Sequence, residues 1–173
     1  MMSIFDQGPF APCPTPFNLA AHVLQRADAL SEKIALSVLS QSGSERWSYG
    51  RLKSAVLGTG TGLLEAGFKP GDILLMRLGN TVEFPLAYLG AIAVGIVPVP
   101  TSSMLTAREV EKMITQLAPA GILHDTEVAC PMDCGLPIID TAALLKMRDL
   151  PPASYDMGDP ERLAYIIYTS GTS

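Results

Sequence analysis

Residues Tyr168 to Ser173, Tyr-Thr-Ser-Gly-Thr-Ser, set four aliphatic hydroxyls around one glycine, directly after an apolar run. That combination suits an anion. Glycine lets backbone N–H groups approach an oxyanion with no Cβ in the way, and consecutive N–H groups in a turn form a concave nest for phosphate oxygens. Thr169, Ser170, Thr172 and Ser173 add rotatable O–H donors, and Gly171 gives backbone access. At the end of a parallel strand such a turn stands where open α/β sheets bind ligands. From these residues alone, an ordinary Ser/Thr/Gly turn without a ligand reads equally well.

Two other stretches offer chemistry and read better as structure. "GTGTG" at 58–62 resembles a dinucleotide fingerprint, but that motif needs its third glycine where Leu63 or Glu65 stands. The stretch also lies within a helical pattern, so its small residues are expected to let that helix pack closely. His124, Cys130 and Cys134 could in principle ligate zinc, and C-x3-C spacing is tolerated. A structural site needs a fourth ligand, however, and Cys13 is remote. The expectation is therefore buried, unliganded cysteines and no metal. His22, on a helix boundary, is not expected to act as a base.

The elements that would position the terminal turn follow from periodicity. Asn18 caps a helix with Ala20, Val23, Leu24 and Ala27 on one face. Strands are expected at Ile34 to Leu39 and in "RWSYG" at 46–50, with "QSGSE" as the turn between them. A helix over 51–66 turns Leu52, Val56, Leu63 and Ala66 inward. "KPGD" at 69–72 has proline and glycine placed for a type II turn feeding a strand from Ile73 to Leu78.

Further on, "FPLAYLGAIAVGIVPVP" at 84–100 carries no charge, yet it is short for a membrane span and ends in two prolines. It reads as a buried helix, a stop at Gly95 and a short buried strand, so no transmembrane segment is expected. Thr106 and Glu109 form a capping box that opens a helix with Val110, Met113, Ile114 and Leu117 on one stripe. Strands at "AGILH" and "LPIID" and a small helix near 141–147 follow. Residues 149–160 read as a linker or surface loop, and Leu163 to Tyr168 as the last strand. Continuous apolar strands separated by helices predict an α/β fold, with a largely parallel sheet flanked by helices.

Bulk composition narrows the function classes. Net charge is −5 and the 12 basic residues are scattered, so no basic stripe exists to bind nucleic acid. Charged residues make up only 17% of the 173 and hydrophobic ones 48%, which leaves little polar surface to cover a domain. The opening residues lack the pattern of a secretion signal. An odd number of cysteines, three, then points to reduced thiols and a cytoplasmic location.

"DPERLAYIIYTSGTS" at 159–173 is similar to the phosphate-loop signature of the adenylate-forming superfamily. That superfamily comprises acyl-CoA synthetases, peptide-synthetase adenylation domains and firefly-type luciferases. Tyr168 to Thr172 match its Tyr-Thr-Ser-Gly-Thr run position by position, and Ser173 keeps the hydroxyl where threonine is usual. "RWSYGRLKSAV", "EAGFKPGDILLMRLGNTVEFPLAYLGAIAVGIVPVP" and "LTAREVEKMITQLAPAGIL" resemble earlier family segments in the same order. Arg51 departs by replacing an acidic residue. The resemblance covers about residues 17–173, and "FNLAAHVLQRA" and "GIVPVPTSSMLTAREV" look most like acyl- or aryl-CoA synthetases.

The resemblance implies a ligase that joins a small-molecule carboxylic acid to AMP, from ATP and Mg2+, and then passes the acyl group to coenzyme A. Thr169, Ser170, Gly171, Thr172 and Ser173 would hold the ATP phosphates, with no catalytic acid, base or nucleophile among them. The family's lysine, adenine and metal motifs fall after this point of its pattern. Residues 1–17 are therefore expected to form an extended arm, and 18–173 the N-terminal part of an adenylation domain cut within the phosphate-binding loop. By itself that piece is expected to be inactive and, through exposed apolar surface, to self-associate. The alternatives are a domain that loads a carrier protein, and a non-catalytic phosphate-binding or interaction module.

Overall fold

The computed structural model of the chain describes residue 8, residues 12–40 and residues 43–168. The five candidate phosphate-binding residues, Thr169 to Ser173, and most of the expected N-terminal arm lie outside them.

Helix α1 (Leu19–Val23) opens at Asn18, whose side-chain oxygen accepts from the Ala21 N–H at 3.1 Å. It is shorter than its pattern suggests, because the chain winds into turns after Val23. Ala20, Leu24 and Ala27 are buried as expected, while Val23 points outward at 53% exposure. Strands β1 (Ile34–Ser40) and β2 (Gly43–Ser48) pair antiparallel as a separate two-stranded sheet. β2 starts and stops earlier than "RWSYG" implied, because Ser48 caps helix α2 (Tyr49–Glu65) by accepting from the Arg51 N–H at 3.3 Å. Leu52, Val56 and Leu63 face inward on α2. Ala66, just past its end, is exposed.

The turn at Lys69 to Asp72 then forms as read. Gly71 takes a φ of 90°, and the Asp72 N–H donates to the Lys69 carbonyl at 3.0 Å. Strand β3 (Ile73–Arg77), helix α3 (Glu83–Ala93), strand β4 (Val97–Pro100) and helix α4 (Ala107–Leu117) follow. Strand β5 (Gly121–His124), strand β6 (Ile138–Asp140) and helix α5 (Thr141–Met147) complete the set. The capping box is present on α4, with both the Thr106 and the Glu109 arms made.

The four later strands form one parallel sheet in the order β4-β3-β5-β6. It is buried on both faces, which is why its strands are unbroken apolar runs. Leu74 and Met76 of β3, with Leu123 of β5, face α2, α3 and α5. Leu75, Val99 and Ile122 face the opposite way, onto Val110 and Met113 of α4. The uncharged stretch at 84–100 is thus α3 plus β4, and among the described residues no helix is long and apolar enough to cross a membrane.

"GTGTG" lies inside α2 and makes its close contacts. A Cβ on Gly58 would stand 2.7 Å from the Arg148 carbonyl oxygen and 2.8 Å from that of Leu150. Gly60 approaches α3, where a Cβ would meet Val94 Cγ1 at 2.8 Å, and a Cβ on Gly90 of α3 would meet the Val56 oxygen at 2.8 Å. The two helices therefore touch backbone to backbone.

The segment 149–160 is irregular but not a free linker. Ala153 N–H donates to Leu57 O at 3.1 Å, Asp156 N–H donates to Ala93 O at 2.8 Å, and Gly158 bridges Phe17. Asn18 adds a bond from its Nδ2 to Asp156 O at 2.9 Å. The segment is a strap across α2 and α3.

Gly58→Ala tests this packing. Alanine is favoured over glycine within a helix by about 1 kcal/mol, yet its methyl would collide with two fixed backbone carbonyls. We expect a net loss of about 1–3 kcal/mol in urea unfolding. A stabilised variant would mean the helix and strap are not in contact.

Candidate functional site

The approach to the hydroxyl-rich run begins at Asp159, whose Oδ1 accepts from the Glu161 N–H at 2.9 Å in a tight side-chain turn. Arg162 folds back onto Asp156, pairing with its carboxylate at 2.7 Å and also bonding its backbone carbonyl. From there Leu163 to Tyr168 runs extended along the free edge of β4. Ala164 and Ile96 border one small cleft, Ile166 N–H donates to Pro98 O at 3.1 Å, and Tyr168 shares a cavity with Pro100. The direction is parallel to β4.

This segment does not complete a ladder, contrary to the strand expected there. The cause lies in the prolines of β4. Val97 and Thr101 turn their N–H groups to β3, donating to Asp72 O at 2.8 Å and Met76 O at 3.3 Å. Backbone direction alternates along a strand, so residues 98 and 100 face the open edge. Pro98 presents a carbonyl there, which Ile166 uses. The reciprocal donor to the Ile166 carbonyl would be the N–H of residue 100, and proline has none. The seam is one-sided. Its outer face is also open, with Leu163 at 58% and Ile167 at 60% exposure, in line with the exposed apolar surface expected of this chain.

Tyr168 therefore arrives beside the C-terminal ends of β3, β4 and β5, all on one side of a parallel sheet. Its hydroxyl donates to Gln116 Oε1 on α4 at 2.9 Å. Beside this pair, which helps to line it, lies a cavity of about 450 Å³, bordered by Pro100, Thr101, Ser102, Leu105 and Lys112. A concave space at the strand ends, with mixed polar and apolar walls, is where this architecture holds ligands. Residues 169–173, which would extend this edge, lie outside the described residues.

One residue at this end went unnoticed in the sequence. Arg77, the last residue of β3, is fully buried. Its Nε and Nη2 donate to Ala129 O at 3.0 and 2.6 Å. Its Nη1 donates to Thr101 Oγ1 at 2.9 Å and Ser102 O at 2.5 Å, and Nη2 also reaches Leu105 O at 3.0 Å. Burial lowers its pKa from the ordinary arginine value. The available signal was a single charge closing the apolar run Ile73 to Met76.

The zinc candidates are occupied otherwise. The His124 ring nitrogen Nε2 lies 2.9 Å from Val128 O, in a buried position. Cys130 and Cys134 pack against the apolar cluster of Ile122 and Met113. Burial pushes the Cys130 thiol pKa up, which the Arg77 charge opposes and Cys134 reinforces. Among the described residues no three potential metal-binding side chains gather. His22 lies tilted against Phe17, with ring centroids 5.5 Å apart.

The family model for AMP-binding enzymes matches residues 23–173. The chain belongs to the AMP-binding enzyme family. Within that family it is 33% identical over 149 residues to a 4-hydroxybenzoate–CoA/benzoate–CoA ligase of Rhodopseudomonas palustris, covering 73% of this chain and 26% of the relative. It is 32% identical over 115 residues to the uncharacterized acyl–CoA ligase YtcI of Bacillus subtilis, covering 66% and 22%. The fold matches a benzoate CoA ligase from Burkholderia xenovorans LB400 with a TM-score of 0.73 at 23% identity, over 86% of this chain and 32% of that one. This AMP-binding chain thus spans about a quarter of the length of those curated relatives, with 22% and 26% covered.

The one-sided seam is open to measurement. Pro100→Val in this AMP-binding chain supplies the missing donor, worth about 1 kcal/mol. The greater freedom of the unfolded chain offsets about 0.4–1 kcal/mol of that gain. Global stability should barely move, while amide exchange at Ile166 slows. Unchanged exchange there would show that the seam is not limited by the proline.

Proposed function

We propose that the chain is the N-terminal part of an AMP-forming acid–thiol ligase. A carboxylate oxygen attacks the α-phosphorus of ATP, and the bond to pyrophosphate breaks to leave an acyl-adenylate. The thiolate of coenzyme A then attacks the acyl carbonyl, and AMP leaves. The observation that carries this reading is the delivery of Tyr168, in an AMP-binding family chain, to the ligand end of the parallel sheet immediately before Thr169 to Ser173. The curated relatives named above are CoA ligases, which supports the same acceptor here.

In this reading the hydroxyls of Thr169, Ser170, Thr172 and Ser173 and the backbone at Gly171 hold the β- and γ-phosphates. They fix the leaving group in line and stabilise its charge. Magnesium enters with ATP as its counter-ion, and no side chain of this chain is assigned to it. Cys13, Cys130 and Cys134 are free thiols, which fits a cytoplasmic location. The 173 residues by themselves should not turn over ATP, since the loop supplies donors and no reacting group.

The test uses the full-length protein, which should exchange pyrophosphate with ATP only when its acid is present. Replacing Thr169 and Thr172 together by alanine should slow that half-reaction by about 10², the effect of losing about 3 kcal/mol of donor stabilisation. Thioester formation from added acyl-adenylate should be largely spared, because no pyrophosphate leaves in it. Equal losses in both halves would assign these hydroxyls to folding. Acceptance of the acyl group by a carrier protein and never by free CoA would replace the thiol partner.

The exposed Leu163 and Ile167 beside the open edge of β4 also support self-association of the 173-residue chain. Sedimentation should show dimers or larger species, and a hydrophobic dye should bind. A dye-silent monomer is the contrary result.

A further inference from the structure

Arg77 is a cation with no ion-pair partner among the described residues. Its five hydrogen bonds go to three backbone carbonyls and one hydroxyl, and it joins none of the ion pairs formed among the described residues. All five guanidinium N–H groups are thereby used. A buried charge of this kind is a poor device for stability alone, since apolar side chains of similar volume commonly do as well or better. What it does uniquely is join two separate loops. Thr101, Ser102 and Leu105 belong to the loop after β4, and Ala129 to the loop after β5. A planar fork with five donors holds all four acceptors on both loops at once, and a lysine ammonium with three donors cannot.

The first of those loops is also a wall of the cavity at the sheet's ligand end, where Thr101, Ser102 and Leu105 stand with Tyr168. The Thr101 hydroxyl passes the connection on, accepting from Arg77 and donating to Met76 O at 2.8 Å. The loop is thus tied to the central strand at one point and to its neighbouring loop through the guanidinium. We propose that Arg77 is a positioning residue for the ligase reaction: it clasps the loops after β4 and β5 and so sets the cavity wall facing Tyr168. It touches no substrate in this role. The proposal rests on the ligase reading of the preceding section for its kinetic consequence, while the clasp itself has a separate structural readout.

Arg77→Lys in the full-length protein keeps the charge and removes the bridge. Hydrogen exchange should rise in residues 101–106 and 126–130 while the β3 amides at 74–76 stay protected. The kcat of acid-dependent pyrophosphate exchange should fall about tenfold or more, as misplacement of groups remote from the chemistry can do. The KM for ATP should stay within about threefold, since the wall's alignment matters most in the transition state. Unchanged kcat with unchanged exchange overturns the proposal. So does a uniform rise in exchange with activity tracking the folded fraction, which a purely structural arginine predicts. Should Arg77→Lys fail to fold, Thr101→Val removes one acceptor and leaves the guanidinium. Localised exchange at 101–105 with kcat lowered about threefold or more then supports the clasp, and no change in either overturns it. A wild-type protein without acid-dependent exchange would sink the ligase reading, and the exchange pattern alone would then decide the clasp.

Discussion

The close approach of α2 to α3 is the contact on which the rest of the structure depends. Two helices can meet backbone to backbone only where side chains are absent, and Gly60 of α2 and Gly90 of α3 provide that contact. The approach places Leu63 of α2 and Ala87 and Ala91 of α3 over Leu74 and Met76 of the central strand. On another side of α2, Gly58 receives the carbonyls of Arg148 and Leu150, so the strap from α5 to the terminal segment can cross α2 closely. That strap reaches Asp156, where Asn18, Arg162 and the end of α3 all bond. A larger residue at Gly60 or Gly90 would move the sheet cover, and one at Gly58 would move the strap.

The strap in turn sets where the hydroxyl-rich run begins. Arg162 is held by Asp156, and the chain then follows β4 to its C-terminal end. Parallel strands make that end the common one, and their crossover helices put the loops after β4 and β5 there. The prolines of β4 leave the final segment attached by a single donor, with Tyr168 held at the far end by Gln116. The segment up to Tyr168 is therefore held between a fixed strap and a helix rather than in a continuous ladder.

Local signals were readable wherever one or two residues decide the outcome. Asn18 and Thr106 cap helices because a short side-chain oxygen reaches a free N–H two or three residues on. Pro70 and Gly71 set their turn through φ alone. The apolar runs of β3, β4 and β5 announced a two-sided buried sheet. Val23 and Ala66 were misplaced because a helical pattern does not say where the helix stops, and both lie at an end. The segment from Leu163 to Tyr168 has a strand's composition, but pairing needs a partner's N–H, and the partner edge carries prolines some 65 residues earlier in the chain.

The sequence by itself determined the α/β class, the family resemblance and the hydroxyl-rich run at 169–173, since these depend on periodicity, capping and a contiguous motif. Only the tertiary structure decided what Arg77 does. Its partners, at 101–105 and 129, are distant in sequence and are mostly backbone carbonyls, which every residue possesses and no residue type advertises. The same holds for the strap at 149–160, whose composition is that of a loop and whose order comes from carbonyls on α2 and α3. Side-chain chemistry is written in the sequence. Backbone acceptors acquire their roles only when the fold brings them to a donor.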